Sequence, residues 1–145
     1  MNTLLILCSF FLLLPCTCYA QNSNLLNEYQ WSNRLLLVYA DDEESSAYRQ
    51  QIQEFEGQQV GIDDRDLVVF TILPQKVINP EGETLPPQSA KDLRQRYDVP
   101  NAQFEVILIG KDGGVKLKER KFLSSEKLFS IIDRMPMRRR EMQVN

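Results

Sequence analysis

The sequence has 145 residues, no histidine and a formal net charge of −3. This length suits one hydrophobic core and is short for two, so we expect a single domain. The missing histidine excludes catalysis by imidazole and metal binding by imidazole. The negative net charge disfavours a nucleic-acid partner.

The first 20 residues have the pattern of a secretory signal peptide. They carry no charged side chain, and residues 4–14 are an almost unbroken apolar run. Cys18 and Ala20 are small residues at positions −3 and −1 of a cleavage site. The run is too short to cross a bilayer, which takes roughly 20 apolar residues. We therefore expect cleavage after Ala20 and an exported protein, secreted or periplasmic, that is not integral to the membrane; an uncleaved anchor is the less favoured alternative.

Cysteine usage follows from this assignment. The three cysteines, Cys8, Cys16 and Cys18, all lie in the predicted signal peptide, and the rest of the chain contains none. The exported form then has no disulfide to stabilise its fold and no thiolate for redox chemistry.

Charge divides unevenly along the remaining chain. Residues 21–83 contain 12 acidic and four basic side chains, whereas residues 84–145 contain eight acidic and 13 basic ones. Such asymmetry can steer a charged partner. We expect instead that the two halves neutralise each other within the fold.

Residues 21–33 are a polar lead segment to which we assign no element. The apolar run 35–39 predicts a strand buried on both faces. Asp41 and Glu44 fit a capping box at the start of the first helix, and a calcium site at these acids is the less favoured alternative. Residues 67–73 predict a second strand of the same buried kind.

Residues 74–87 are rich in Pro, Gly and Asn and are expected to form a long loop. Ser89 is the expected N-cap of a short second helix. Residues 104–109 predict a third buried strand, and Asp112-Gly113 after it is typical of a tight type I′ turn. Residues 115–122 alternate, with Val115 and Leu117 inward and Lys116, Lys118 and Arg120 outward, as in an edge strand.

The last helix is expected to begin near Leu123 and to end at Pro136, which cannot continue it. Residues 136–145 then form a basic tail. Two further methionines follow Pro136, so we expect Met137 to fold back onto the domain. This would place Arg138 and Arg139 against the acidic first half.

The predicted order β-α-β-α-β-β-α is that of an α/β, thioredoxin-like domain over residues 34–135, with a four-stranded mixed sheet and helices on both faces. In redox-active members, two cysteines lie where the first strand meets its helix, and a cis-proline opens the third strand. Here those places are taken by Glu43, Ser46 and Glu105. We therefore expect no thiol-redox activity and no cofactor.

Four stretches give the sequence a family resemblance: residues 34–40, 64–69, 106–116 and 133–139. They resemble a family of domains of unknown function, DUF4174, which occurs in exported bacterial proteins and in animal sushi-repeat and matrix proteins. The resemblance implies a thioredoxin-like fold and names no activity. The residues that match its polar positions, and that we take as candidate interaction residues, are Arg65, Lys111, Asp112, Lys116, Arg138 and Arg139.

The simplest interpretation of these positions is structural, with Asp112 shaping a turn and Arg65 paired with Asp64 or Asp66. For function, we predict a non-catalytic interaction module whose partner is a protein or an extracellular anionic polymer. One alternative is an enzyme that uses carboxylates or a cofactor at the C-terminal end of the first strand. The other is an adhesive module that binds an anionic polymer through the basic strand and tail.

Overall fold

A computed structural model describes residues 25–144, so the predicted signal peptide and its cleavage site lie outside the described residues. The strands are β1 (Arg34–Tyr39), β2 (Leu67–Ile72), β3 (Val77–Ile78), β4 (Thr84–Leu85), β5 (Glu105–Ile109) and β6 (Val115–Glu119). The helices are α1 (Ser46–Phe55), α2 (Gln59–Asp63), α3 (Pro87–Tyr97), α4 (Ser125–Asp133) and α5 (Pro136–Val144), preceded by a 3-10 turn at Asn27–Tyr29. Within this range no helix combines the length and the apolar character that crossing a membrane requires.

The strands form one mixed sheet in the order β4-β3-β2-β1-β5-β6. Strands β1 and β2 are parallel, and every other neighbouring pair is antiparallel. The α/β class, the mixed sheet and the central position of β1 agree with the sequence-based prediction. The prediction of four strands was wrong, because the sheet has six.

The two additional strands come from the segment predicted to be a loop. Val77 pairs with Ile72 at the open edge of β2, and the chain then returns through Gly82, which has a φ of 83°. Each of these strands has only two residues, so neither produces an alternating pattern that sequence inspection detects. Burial of Val77 against β2 is what holds them in the sheet.

Strand β1 is the centre of two hydrophobic cores, one on each face of the sheet. Leu35, Leu37 and Tyr39 pack on the side covered by α3. Leu36 and Val38 pack on the side covered by α1, α2 and α4. All six residues of β1 are buried, which explains why its sequence is apolar without alternation. Helices therefore cover both faces, as predicted.

Two of the predicted helix starts were wrong. Helix α1 begins at Ser46, and Asp42 accepts a hydrogen bond from the Glu44 amide in the preceding loop, so no capping box forms with Asp41. Helix α3 begins at Pro87, which suits a first helical position because proline has no N–H to satisfy, and Ser89 lies buried inside it. Helix α2 was not predicted.

The end of the chain also differs from the expected tail. Helix α4 ends at Asp133, before Pro136, and Pro136 then begins α5. The segment does fold back onto the domain, but Met137 is only half-buried and Arg138 is the buried residue. Arg139 is exposed, so its predicted contact with the acidic half was wrong.

Strand β6 is the predicted edge strand, with Lys116 and Lys118 exposed. The prediction that Val115 points inward was wrong, since this side chain is 46% exposed. Ile109 pairs with Val115 and Leu108 pairs with Leu117, which leaves Lys116 as the extra residue of a β-bulge. A bulge of this kind interrupts the alternation on which the prediction rested.

A buried glutamine joins α1 to the segment that leads into α4. Gln51 is 0% exposed, and its amide both donates to the Leu123 carbonyl and accepts from the Leu123 N–H, each at 2.8 Å. Both backbone groups of Leu123 thus depend on one side chain. A buried polar group that loses its partner costs about 1–3 kcal/mol.

We therefore expect Gln51→Ala to lower the free energy of unfolding by roughly 3 kcal/mol, because it leaves two buried backbone groups unpaired. The matched control is Gln50→Ala, at an exposed neighbouring position of the same helix, which should cost about 0.5 kcal/mol or less. Urea denaturation measures both. Equal midpoints for the two variants would contradict the assigned role of Gln51.

Candidate functional site

Charged side chains from five parts of the chain meet at the N-terminal end of β1. We call this group the charge cluster, and its members are Arg34, Asp64, Arg65, Asp66, Lys111, Asp133, Arg138 and Glu141. Three of the six candidate residues, Arg65, Lys111 and Arg138, belong to it. Four cations face four anions, so the cluster carries no net formal charge.

Arg138 is the most connected member of the cluster. It is 5% exposed and donates to the Asp64 carbonyl at 2.6 Å and to the Asp64 carboxylate. It also donates to Asp133 at 3.3 Å. Arg138 comes from the basic second half of the chain and Asp64 from the acidic first half, so this contact is a direct neutralisation of one half by the other.

Arg65 forms a fork-shaped contact with the end of α4. Its Nε and Nη2 donate to the two carboxylate oxygens of Asp133 at 3.0 and 2.7 Å. Its guanidinium also lies 4.3 Å from the centre of the Phe129 ring. The predicted pairing with Asp64 is present as a longer contact at 3.5 Å, whereas Asp66 pairs with Lys111 instead. A bidentate arginine–carboxylate pair is stronger and more directional than a single contact.

Arg34 and Lys111 share the carboxylate of Glu141 in α5. Arg34 reaches it at 3.1 Å and Lys111 at 2.9 Å, and Lys111 also binds Asp66 at 2.7 Å. Arg34 is 1% exposed, so this contact neutralises a cation inside the protein. Helix α5 is therefore part of the cluster and holds β1, β5 and the segment after α2 together.

The cluster lowers the pKa values of two carboxylic acids. Burial would raise the pKa of Asp133, but hydrogen bonds and charge from Arg65 and Arg138 outweigh it and hold the pKa below its ordinary value. Burial opposes ionisation of Glu141 in the same way, and Lys111 and Arg34 hold its pKa low. Both groups are held in their charged form.

Two of the remaining candidate residues, Asp112 and Lys116, lie in or next to the turn between β5 and β6, and Arg139 lies in α5. Lys116 donates to the Asp112 carboxylate at 2.7 Å, and the Gly114 amide donates to the same side chain at 3.0 Å. These two contacts, with the charge of Lys116, lower the pKa of Asp112. Arg139 is exposed, and its side chain forms no ion pair within residues 25–144. The structure thus brings five of the six candidate residues to one end of the sheet.

The turn itself differs from the predicted type I′ turn. Gly113 has a φ of 79°, whereas Asp112 does not have a positive φ. The Gly113 amide donates to the Gly110 carbonyl and the Gly110 amide to the Gly114 carbonyl, each at 2.9 Å. A turn with a single left-handed glycine, followed by a bulge, is the other common way to close a hairpin.

An exposed tryptophan beside this turn was not predicted as part of the site. Trp31 is 64% exposed and has a φ of 70°, a conformation that bulky residues rarely adopt. Its amide donates to the Lys111 carbonyl at 2.6 Å, and the neighbouring Gln30 side chain donates to the Asp112 carbonyl at 3.3 Å. The left-handed conformation of Trp31 has no sequence signal, because glycine and asparagine usually mark such positions.

The positions that hold the redox residues in thioredoxin-like enzymes lie at the opposite end of the sheet. Glu43 pairs with Lys76 at 2.7 Å, and Ser46 is the exposed first residue of α1. Glu105 pairs with Tyr39 across the sheet, is 2% exposed and accepts a hydrogen bond from Gln103 at 2.9 Å. Within residues 25–144, no three histidine, cysteine, aspartate or glutamate side chains converge in a way that could hold a metal ion.

The sequence matches one protein-family model over most of its length. The model of the family described as a domain of unknown function (DUF4174) matches residues 25–141. The chain belongs to this family. The matched region includes Trp31, the turn and every member of the charge cluster.

The chain is also similar to segments of longer animal proteins. It is 28% identical over 137 residues to sushi repeat-containing protein SRPX of Homo sapiens, which covers 87% of this chain and 30% of that protein. It is 25% identical over 137 residues to coiled-coil domain-containing protein 80 of Danio rerio, covering 83% of this chain and 16% of that protein. The chain therefore spans less than a third of the length of these relatives.

Solved structures with a similar fold are peroxiredoxins of the thioredoxin fold. A reduced 2-Cys peroxiredoxin of Plasmodium vivax superposes with a TM-score of 0.62 at 14% identity, covering 81% of this chain and 84% of that one. Thioredoxin peroxidase I of Plasmodium yoelii gives a TM-score of 0.61 at 16% identity, covering 83% and 81%. At these identities the similarity concerns the fold.

The contrast between Arg138 and Arg139 allows a direct test of the DUF4174 charge cluster. We expect Arg138→Ala to lower the free energy of unfolding by about 3 kcal/mol, because it removes the hydrogen bonds to the Asp64 carbonyl and carboxylate and one of the two arginine partners of Asp133. Arg139→Ala removes the same side chain one residue later, at an exposed position, and should cost about 0.5 kcal/mol or less. Guanidinium denaturation of both variants gives the comparison. Similar losses for the two would show that the cluster does not hold α5.

The lowered pKa values of Asp133 and Glu141 predict the acid response of the fold. Their ionised forms stabilise the folded state fully above the unfolded-state pKa of about 4, and this contribution is lost as the pH falls through the lower folded-state values. We expect the denaturation midpoint to drop below about pH 4. Asp133→Asn should be less stable at pH 7 and should lose less stability on acidification.

The control for this experiment is Glu56→Gln, which changes an exposed acid outside the cluster. It should follow the wild-type pH profile. An Asp133→Asn profile parallel to the wild-type one would argue that acids elsewhere control the acid response.

Proposed function

We propose that this protein is an exported, non-catalytic thioredoxin-like module that binds a partner through the surface around Trp31. We call this the Trp31 surface and define it as Gln30, Trp31 and the turn of residues 111–116. The observation that carries the proposal is the exposed tryptophan on an unfavourable backbone conformation. Such a conformation costs on the order of 1–3 kcal/mol and persists where surrounding contacts enforce it.

The contacts that enforce it come from the turn. The Lys111 carbonyl fixes the Trp31 amide, and Lys111 is itself held by Asp66 and Glu141. The charge cluster thus supports the backbone that presents Trp31. A rigid, exposed aromatic side chain is the residue type that contributes most strongly to protein interfaces.

The size of the relatives supports a binding role. This chain matches 30% of the sushi repeat-containing protein and 16% of the coiled-coil domain-containing protein. In those proteins the domain is one portion of a longer chain that carries other modules. A domain used in that way is well suited to contact a neighbouring module or another protein.

The adhesive alternative has less support, because basic side chains of the edge strand and tail form contacts within the domain. Lys116 binds Asp112 at 2.7 Å, and Lys118 donates to the Tyr97 carbonyl at 2.7 Å. Arg138 is buried in the charge cluster. Three of the six cations that the strand and tail supply in that alternative therefore already have partners within the domain.

The proposal predicts opposite effects of Trp31 substitutions on stability and on binding. Trp31→Gly should raise the free energy of unfolding by about 1 kcal/mol, because glycine adopts a φ of 70° without strain. The same change, and Trp31→Ala, should weaken partner binding at least tenfold if Trp31 is central to the interface. Urea denaturation and quantitative capture from the extracytoplasmic fraction measure the two effects.

Val60→Ala is the matched control, since Val60 is an apolar residue that is 85% exposed outside the Trp31 surface. It should leave both measurements unchanged. Capture by Trp31→Ala equal to that by wild type and by Val60→Ala would exclude the Trp31 surface as the binding site.

A further inference from the structure

A groove of about 330 Å³ lies at the end of the sheet opposite the Trp31 surface. It is bordered by Pro74 and Gln75 after β2, by the first half of α3, and by Asn101 before β5. Lys91 and Arg94 of α3 line it, and no carboxylate does. The groove is open to solvent and lies at the C-terminal ends of β1 and β2, where α/β sheets commonly bind ligands.

Arg94 is a buried cation without a negatively charged partner. It is 5% exposed, and its guanidinium donates to the Pro100 carbonyl at 2.7 Å, the Ala40 carbonyl at 2.6 Å and the Ile72 carbonyl at 3.0 Å. Its Nε has no hydrogen-bond partner among the described residues. Three carbonyl dipoles stabilise the guanidinium but do not neutralise its charge.

The surroundings of Arg94 confirm this imbalance. Burial lowers its pKa, and the neighbouring Tyr39 and Asp41 oppose that shift. The Tyr39 ring lies 5.4 Å from the guanidinium and supplies a cation–π contact rather than a counter-charge. Asp41 is exposed, and none of the ion pairs formed within residues 25–144 joins it to Arg94. Buried charges in proteins are normally paired, so this one is unusual.

The rim of the groove offers further donors. Lys91 is exposed, and its ammonium group takes part in no ion pair or hydrogen bond within the described range. Gln75 and Asn101 are exposed amides, and their side chains are not engaged with any other described residue. An ammonium group, two amides and a buried guanidinium therefore face one space.

We propose that this groove binds a carboxylate, with Arg94 at its floor and Lys91 at its rim. Hydrogen bonds to the three carbonyls leave one N–H on Nη1 and the N–H on Nε, and Nε is enclosed by the protein. The free Nη1 hydrogen and the Lys91 ammonium then supply one donor for each oxygen of a carboxylate, whereas a phosphate offers three oxygens and more charge. The ligand is a small organic acid or the acidic side chain of a partner protein, which share this chemistry.

Calorimetric titration of the purified protein with succinate at fixed ionic strength tests the site. We expect saturable binding with a dissociation constant on the order of 1 mM, as is usual for a ligand of this size. Lys91→Gln should weaken binding up to about fivefold, the range of a partly exposed ion pair. Asp41→Asn should tighten it about twofold, because it removes a carboxylate that acts on Arg94 and competes with the ligand. Arg94 itself is left unchanged, since its loss would also remove three structural hydrogen bonds.

The control variant is Lys121→Gln, which removes one exposed lysine away from the groove and should bind succinate as the wild type does. No saturable binding, equal affinity of Lys91→Gln and wild type, or equal binding of succinate and inorganic phosphate would each overturn the proposal. A blocked Glu-Glu dipeptide that binds at least tenfold more tightly than succinate would identify the source as a partner's side chain; comparable or weaker binding would identify it as a free acid. These results are independent of Trp31, so they do not test the Trp31 surface.

Discussion

The burial of Arg34 is the constraint on which much of this structure depends. Arg34 opens β1, and β1 is covered on both faces and paired on both edges, so its first side chain cannot reach solvent. A guanidinium in that place requires a counter-charge, because the cost of desolvating an unpaired ion is several kcal/mol. Glu141 supplies it from α5. The need to neutralise one central arginine therefore explains why the end of the chain returns to the sheet as a helix.

The docking of α5 has consequences for its neighbours. Glu141 also binds Lys111, which connects α5 to the turn that follows β5. Arg138 lies one helical turn earlier and reaches Asp64, which connects the same helix to the segment before β2. Strand β1, its parallel neighbour and its antiparallel neighbour are thus joined at one end by α5. The candidate residues Arg65, Lys111 and Arg138 are far apart in sequence, and their contacts join them to acids in other elements.

Sequence reasoning was most successful where one physical effect dominates. The uninterrupted apolar runs identified the strands that are buried on both faces, and their order indicated the mixed sheet. It was less successful where weak local signals compete with tertiary contacts. The strand at Val77 is held by an open sheet edge rather than by its own pattern, and the first turn of α1 does not use the acids placed before it. The same limit applies to the site, since Arg65 and Arg138 were recognisable as motif residues but their partner Asp133 is set by the packing of α4 against α2.

The buried arginines at the two ends of the sheet have opposite charge environments. At the N-terminal end of β1, four cations and four anions neutralise one another, which leaves those side chains little capacity to bind anything else. At the C-terminal end, Arg94 is buried to a similar degree but is surrounded by carbonyl groups. A neutralised cluster contributes mainly to stability, whereas an uncompensated buried charge next to an open groove is available for recognition. In this domain the candidate residues Arg65, Lys111 and Arg138 therefore build the support, and the binding surfaces that we propose lie beside it, at Trp31, and at the opposite end of the sheet, at Arg94.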